Sequence, residues 1–578
     1  MNRSLLHPCI VIALLVTNSQ ARAAETRVET VMVAMRDGIR LATDIYRDPA
    51  IPKRSVVLVR TPYNKQRAKG TAQRFVDAGY TVVIQDCRGA HASEGVLIPY
   101  NNEGQDGYDT IEWIGKQEWS NGRVGTWGSS YVGAVQWQAA VEHPPGLVTM
   151  IPRATWSNFY RNLYLGGAIR MLISPWAASQ SARPEGTVPP TDWEAIYMHL
   201  PISETDQKIG WSIPWLKAIF MHPEPNGYWD RLNLTDQITD LQMPIQHMVG
   251  YYDFFSRESV GNFVQMREHA RNPAIRQQQQ LILGPWDHGT IGKSQVGEVD
   301  FGPAARLDTV ATAITWYDQY LKPSPPAGTR PPVPVRYFVM GENTWREAQT
   351  WPPAGFTPSS FYLGSAGKAN TRSGDGRLER SPPLQAKPSD SFRADPAQPT
   401  PACPVTEQRP LARAIWAPVD QQLIEDRQDV LVYTSPRITD PITFAGNARA
   451  ELFVATDTPD ADWVVKIVDV HPDGFAQNLA VGILRGRYRD SELKPTPLTP
   501  GQVYRITVDL GPVAATIQKG HHLRVDVCGA YFPLFDRNTN TGEGPTGKAT
   551  RIATEKVFHR PGQWSRVILP CATKQSRP

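Results

Sequence analysis

Gly128-Ser129-Ser130-Tyr131-Val132-Gly133 is the segment of this chain best placed to do chemistry. A serine hydroxyl becomes a useful nucleophile when a neighbouring base takes its proton. The run follows Arg123-Val124-Gly125-Thr126-Trp127, which reads as a short buried strand. It precedes Ala134 to Val141, which reads as a helix closed by His143-Pro144-Pro145. Strand, sharp glycine-flanked turn and helix is the setting of a nucleophile elbow. Such a turn strains the central serine and holds Ser130 Oγ at a helix N-terminus, where negative charge is favoured. The second glycine falls one place later than in the usual G-x-S-x-G spacing.

The partners of such a serine follow in chain order: acid, then histidine. Gly250-Tyr251-Tyr252-Asp253 follows the strand-like Ile245 to Val249, and Gly284-Pro285-Trp286-Asp287-His288-Gly289 follows Gln280 to Leu283. Asp253 and His288 are therefore the candidate acid and base. Their separation fits one helix, near Val260 to Arg271, between adjacent parallel strands. Asp287 is a rival acid, but neighbours on an extended loop point apart, so Asp253 is preferred. His91, His247 and His522 lack a matching context. A developing oxyanion needs aimed donors. One is the backbone N–H of Tyr131. The other belongs on the loop Thr61-Pro62-Tyr63-Asn64-Lys65, where Pro62 fixes the chain and the Tyr63 hydroxyl can donate; packing of Tyr63 under a cap is the alternative.

These residues need a scaffold. Val56 to Val59 and Thr81 to Ile84 are short β-branched runs, with helical patterns such as Asp106 to Gln117 after them. Strands alternating with helices predict a parallel sheet over 24–155 and again over 242–325. Between them, 156–241 is crowded with aromatics and poor in strands, which predicts an inserted helical cap. Most of these aromatics should form the cap's own core. A minority, with Trp156 and Tyr164 as candidates, should line a pocket, because ligand sites favour domain junctions and aromatic walls. The Pro-rich Lys322 to Pro334 marks a boundary. Beyond it, 326–578 shows many short strand-like runs, starting with Val335 to Met340, which suggest a β-sandwich or jelly roll. Ser365 to Pro410 reads as a polar surface excursion.

At 578 residues the chain should hold two or three domains. Hydrophobic content of 41% with 20% charge fits a globular protein. Net charge is +4 with no basic run, which argues against a nucleic-acid partner. Arg3, the apolar Ile10 to Val16 and Ala21-Arg22-Ala23 form a secretory signal over 1–23, too short to anchor in a bilayer. Its removal at Ala24 takes two arginines and leaves +2. The expected location is periplasmic or extracellular, with no membrane attachment. Cys9 leaves with the signal. Export permits a disulfide between Cys403 and another C-terminal cysteine. No Cys/His spacing suggests zinc, and no cofactor is needed. Homo-oligomerisation is left open.

The motifs together resemble the cocaine-esterase (CocE/NonD) family, related to X-prolyl dipeptidyl-peptidases and α-amino-acid ester hydrolases. The matches are Thr61-Pro62-Tyr63, Gln85-Asp86-Cys87-Arg88-Gly89 with Ser93-Glu94-Gly95, Asn121 to Gly125, and Gly128 to Gly133. They continue through Tyr252-Asp253, Gly284-Pro285-Trp286 with His288, and Phe532-Pro533 with Asp536-Arg537-Asn538. The resemblance implies Ser130, Asp253 and His288 as a triad, and Tyr63 with the Tyr131 amide as the oxyanion hole. It implies an α/β-hydrolase core, a helical cap and a C-terminal jelly roll.

The substrate expected is a small ester or amide. The α-amino-acid ester branch holds its substrate ammonium with acids just after the catalytic aspartate. Here those positions are Phe254, Phe255 and Ser256, and the nearest acid is Glu258. Phe255 instead suggests an apolar acyl wall, which favours esters of aliphatic or aromatic acids. Arg257 is a candidate partner for an acidic acyl tail such as a glutaryl group. The alternatives are an amidase or acylase on the same triad, including β-lactam side-chain or X-prolyl dipeptidyl cleavage, and a glycan- or partner-binding protein with an inactive sheet.

Overall fold

The computed structural model describes residues 26–573, except 329 and 385–386. The expected signal segment lies outside the described residues. A ten-stranded sheet organises the first part of the chain. Its strands are β1 (Arg27–Ala34), β2 (Arg40–Arg47), β3 (Arg54–Thr61), β4 (Thr81–Asp86), β5 (Ser120–Ser129) and β6 (Leu147–Arg153), then β7 (Ile245–Tyr252), β8 (Gln279–Asp287), β9 (Val335–Val339) and β10 (Thr344–Ala348). The spatial order is β1-β2-β4-β3-β5-β6-β7-β8-β9-β10. Pairing from β4 through β9 is parallel, and the outer strands are antiparallel.

The central strands are buried on both faces, as a parallel sheet covered by helices must be. Successive side chains on a strand point to opposite faces. Val56 and Leu58 of β3 accordingly join the core beneath the Glu103–Gly115, Tyr131–Val141 and Ser256–His269 helices. Val57 and Val59 join the other core, beneath the Lys69–Asp77 and Thr309–Tyr320 helices. The strand ends are thereby held rigidly, which is what the loops carrying the chemistry need.

Val335 to Met340 is a correction to the sequence reading. β9 does not join the C-terminal sheet; it pairs parallel with β8, Leu281 opposite Val335. The Pro-rich stretch is thus a crossover from the Thr309–Tyr320 helix to the sheet edge. A short apolar run says nothing about which sheet it will join.

Residues 156–241 form short helices, among them Phe159–Leu163, Ile173–Gln180 and Pro214–Met221. Beyond β10 lies a second, twelve-stranded sheet. Its long strand Ile442–Thr456 pairs antiparallel with Tyr504–Ile517, Ala553–Arg560 and Arg566–Ala572. The expected excursion Ser365 to Pro410 is partly strand: Ser389–Ala394 pairs with Ala553–Arg560. Its buried Asp390 accepts hydrogen bonds from the Ser365 and Tyr433 hydroxyls, so part of the segment's polarity serves an internal network, while much of the rest is exposed.

The β-rich domain is tied to the cap and to the end of β7. Arg485 bridges the buried Asp462 and Asp536, and Asp536 Oδ1 accepts the Ile169 N–H at 2.9 Å. The Tyr252 hydroxyl donates to the Asn478 carbonyl at 2.9 Å. The disulfide that export would permit is not formed: Cys403, Cys528 and Cys571 are buried thiols, as is Cys87. Among the described residues no helix is long and apolar enough to cross a membrane.

Candidate active site

Ser130 sits between β5 and the Tyr131–Val141 helix with φ 62° and ψ −128°, a region that a residue with a Cβ rarely visits. Its N–H donates to the carbonyls of Arg153 and Ala154 at 3.1 and 3.0 Å, and these bonds offset the strain. Both flanking glycines are forced by space. A Cβ on Gly128 would meet Val132 Cγ1 at 2.1 Å, and one on Gly133 would meet Thr155 Cβ at 2.7 Å. The late second glycine therefore serves close passage of the helix against the chain leaving β6.

Asp253 follows β7 and is fully buried, and His288 follows β8 with 30% of its side chain exposed. The two are 3.0 Å apart, Nδ1 to Oδ2. An ionised carboxylate can only accept, so Nδ1 carries the proton and Nε2 is the basic nitrogen. The Phe255 N–H donates to the other Asp253 oxygen at 2.8 Å, which fixes the carboxylate. Burial alone would lower the His288 pKa; the charge and hydrogen bond of Asp253, with help from Asp287, outweigh it and raise it. The rival Asp287 is engaged elsewhere: its Oδ1 accepts from the Gly289 N–H and the Thr290 hydroxyl, both at 2.8 Å.

Tyr63, just past β3, accepts the Trp176 indole N–H at 3.1 Å and lines the same cavity as Ser130. Burial raises its pKa, so it is a neutral donor. The Tyr131 side chain is pinned away from the cavity, its hydroxyl donating to Glu103 Oε1 at 2.7 Å. Its N–H is at the first helical position, outside the helix's own ladder.

Ser130, Tyr63, His288 and Phe255 line one cavity of about 600 Å³ under the cap. This is an apolar pocket with a few convergent polar groups, large enough for a small organic substrate.

Residues 37–290 match the X-Pro dipeptidyl-peptidase (S15 family) model, and 328–568 match the X-Pro dipeptidyl-peptidase C-terminal non-catalytic domain. Cocaine esterase of Rhodococcus sp. (strain MB1 Bresler) is 34% identical over 93% of this chain and 97% of its own. The chain belongs to the cocaine-esterase (CocE/NonD) family. It is a serine hydrolase. A solved α-amino acid ester hydrolase is 25% identical, covering 98% of this chain and 100% of its own with TM-score 0.82. An aminopeptidase from a marine sediment archaeon, Thaumarchaeota archaeon, is 25% identical, covering 99% of each chain with TM-score 0.82.

Within this CocE/NonD hydrolase two expected pocket residues are displaced. Trp156 is fully buried behind Tyr100, and Tyr164 donates its hydroxyl to the Ile219 carbonyl at 3.0 Å. Neither lines the cavity; both pack the cap's core. Aromatic composition marked the cap but not its inner surface. Arg257 is likewise turned away: it pairs with Asp509 at 3.1 Å and donates to the Val481 carbonyl. Phe254 and Phe255 do meet the site, with ring centroids 4.5 and 5.2 Å from that of His288.

The sequence reading missed Trp176, which holds the Tyr63 hydroxyl, and Arg170, a buried cation on the cavity wall. Both stand in the aromatic-rich cap, and neither has a motif around it. Among the described residues no carboxylate lines the cavity. Glu258 is half-buried nearby, accepts the Asn158 N–H at 3.2 Å, and is pushed up to about 7 by desolvation.

Proposed function

We propose that the protein is an exported carboxylic-ester hydrolase that works through an acyl-enzyme on Ser130. The observation that carries this reading is the 3.0 Å His288–Asp253 contact opening on the same cavity as the strained Ser130. His288 Nε2 takes the Ser130 proton as Oγ bonds to the substrate carbonyl carbon. The carbonyl π electrons move to oxygen, where the Tyr63 hydroxyl and Tyr131 N–H receive the charge. Collapse of that intermediate breaks the bond to the alcohol oxygen, which leaves with the proton from His288. Water then repeats the sequence and frees the acid.

The Phe254–Phe255 wall supports an apolar or aromatic acyl group. The lack of a cavity carboxylate argues against a substrate ammonium, and so against α-amino acyl and dipeptidyl substrates. The test compares 4-nitrophenyl acetate, butyrate and benzoate with matched anilides, including α-amino forms, in the mature protein and Ser130→Ala. Ester turnover lost in the variant is the expected result. A preference for α-amino anilides overturns the substrate reading, and equal rates in both proteins overturn the nucleophile. For export, the expected N-terminus of protein recovered outside the cytoplasm is Ala24; an intact Met1 there contradicts the signal reading.

A further inference from the structure

Arg170 sits on the cavity wall, 4% exposed, with no ion-pair partner among the described residues. Nη1 donates to Asn162 Oδ1 at 2.9 Å, while Nε is buried and has no hydrogen-bond partner. The guanidinium lies over the rings of Phe254 and Trp416, 5.7 and 5.4 Å from their centroids. Buried charges are ordinarily paired. The nearest negative charges act only at longer range: Asp253 is committed to His288, and Glu258 is held up to about 7. Burial, then Arg257, pull Arg170 down to about 9 against those carboxylates, so it is still a cation at neutral pH. Its backbone is fixed by a hydrogen bond to the Leu163 carbonyl and a bridge to Phe535.

Two other cations line the cavity. Arg153 lies over Trp127 at 3.9 Å and donates to the Thr309 hydroxyl, and Arg67 is exposed. In the sheet order, β5 with Ser130 stands between β3, whose loop carries Tyr63 and Arg67, and β7, whose loop carries Phe254. The Arg67 end is open to solvent, whereas Asn162, Leu163 and Arg170 at the other end are buried. The acyl group stays bound while the alcohol departs. The enclosed end suits the part that stays.

We propose that the substrate's acyl group ends in a carboxylate, bound by Arg170 and by the Asn162 amide: the enzyme prefers hemiesters of dicarboxylic acids. Asn162 Oδ1 is taken by Arg170, which leaves Nδ2 as a second donor. The apolar stem of such an acid lies along Phe254 and Phe255. This proposal rests on the acyl-enzyme reading above and names its substrate class.

The test measures kcat/KM for mono-4-nitrophenyl succinate, glutarate and adipate against 4-nitrophenyl butyrate, pentanoate and hexanoate. Wild type should favour at least one hemiester over its neutral match by roughly tenfold or more. In Arg170→Met that ratio should fall on the order of tenfold to a hundredfold, with Arg170→Lys between. A wild-type ratio near one overturns the proposal, as does a ratio that survives Arg170→Met but collapses in Arg67→Gln or Arg153→Gln. Should the Met variant fail to fold by circular dichroism, free glutarate decides: it should raise the melting temperature of Ser130→Ala, and butyramide should not. Equal effects of the two overturn the site. Failure of the acyl-enzyme reading looks different, because neutral-ester turnover would then persist in Ser130→Ala.

Discussion

Ser130 and Arg170 line the same cavity but reach it by different routes. Ser130 is set by its immediate neighbours: Gly128 and Gly133 permit the turn, β5 leads in, and a helix leads out. Arg170 is set by contacts remote in sequence. The Ile169 N–H beside it is held by Asp536, and Arg170 itself bridges to Phe535. The sheet side of the cavity is thus local and rigid in its chemistry, while the cap side is assembled from the cap and the β-rich domain. Under the proposed mechanism one side carries the reaction and the other its selectivity, so variants on the two sides should fail in different ways.

The largest effect belongs to the sheet side. Ser130→Ala should lower kcat by roughly 10⁵ to 10⁶, read as loss of ester turnover and of fluorophosphonate labelling, with the melting temperature retained. Asp253→Asn should follow, at roughly 10⁴ in kcat. The base must be neutral imidazole, whose fraction falls as pH drops through the His288 pKa. That pKa is raised from 6.5 because Asp253 and Asp287 outweigh burial. The wild-type acid limb should therefore lie above the usual histidine range, and removing the Asp253 charge should move it to lower pH. An acid limb that stays in place in Asp253→Asn would show that another group sets it.

Tyr63→Phe removes one oxyanion donor and should cost roughly 10² to 10³ in kcat with little change in KM. A fall in stability with intact kcat would return Tyr63 to the role of a packing residue. Trp176 is where the two sides touch, since its indole N–H donates to the Tyr63 hydroxyl from the cap. It is a positioning residue for that hydroxyl. Trp176→Phe should lower kcat about two- to tenfold, the worth of one neutral hydrogen bond. In a Tyr63→Phe background the same change should have no further effect on kcat. Additive losses would separate the sides again.

The same division explains what the sequence revealed. The elbow, the order serine-acid-histidine and the strand ahead of each were legible because a strand end and a tight turn are local features. Asp253 could be preferred over Asp287 from loop geometry alone, and Asp287 proves to be closing its own turn. The cap wall was not legible. Trp156, Tyr164 and Trp176 have the same kind of composition around them, yet only Trp176 lines the cavity. Arg257 and Arg170 are equally plain arginines in sequence; one meets Asp509 and the other lines the cavity. Val335–Val339 is a strand as read, but its sheet was not legible for a related reason, because a strand's sheet is chosen by its neighbours in space.

The smallest effect tests that boundary directly. Tyr164 lies in the cap but one layer behind the wall, its hydroxyl donating to the Ile219 carbonyl within buried surroundings. Tyr164→Phe removes that bond and leaves the carbonyl with the His222 N–H alone, and should lower stability by about 1 kcal/mol, measured by denaturant unfolding. Because the ring keeps its place against Tyr160 and Trp229, KM for neutral and anionic esters alike should not move. A selective change in KM without loss of stability would put Tyr164 on the substrate surface after all, and the cap's inner face would then extend a layer deeper than Phe159 and Leu163.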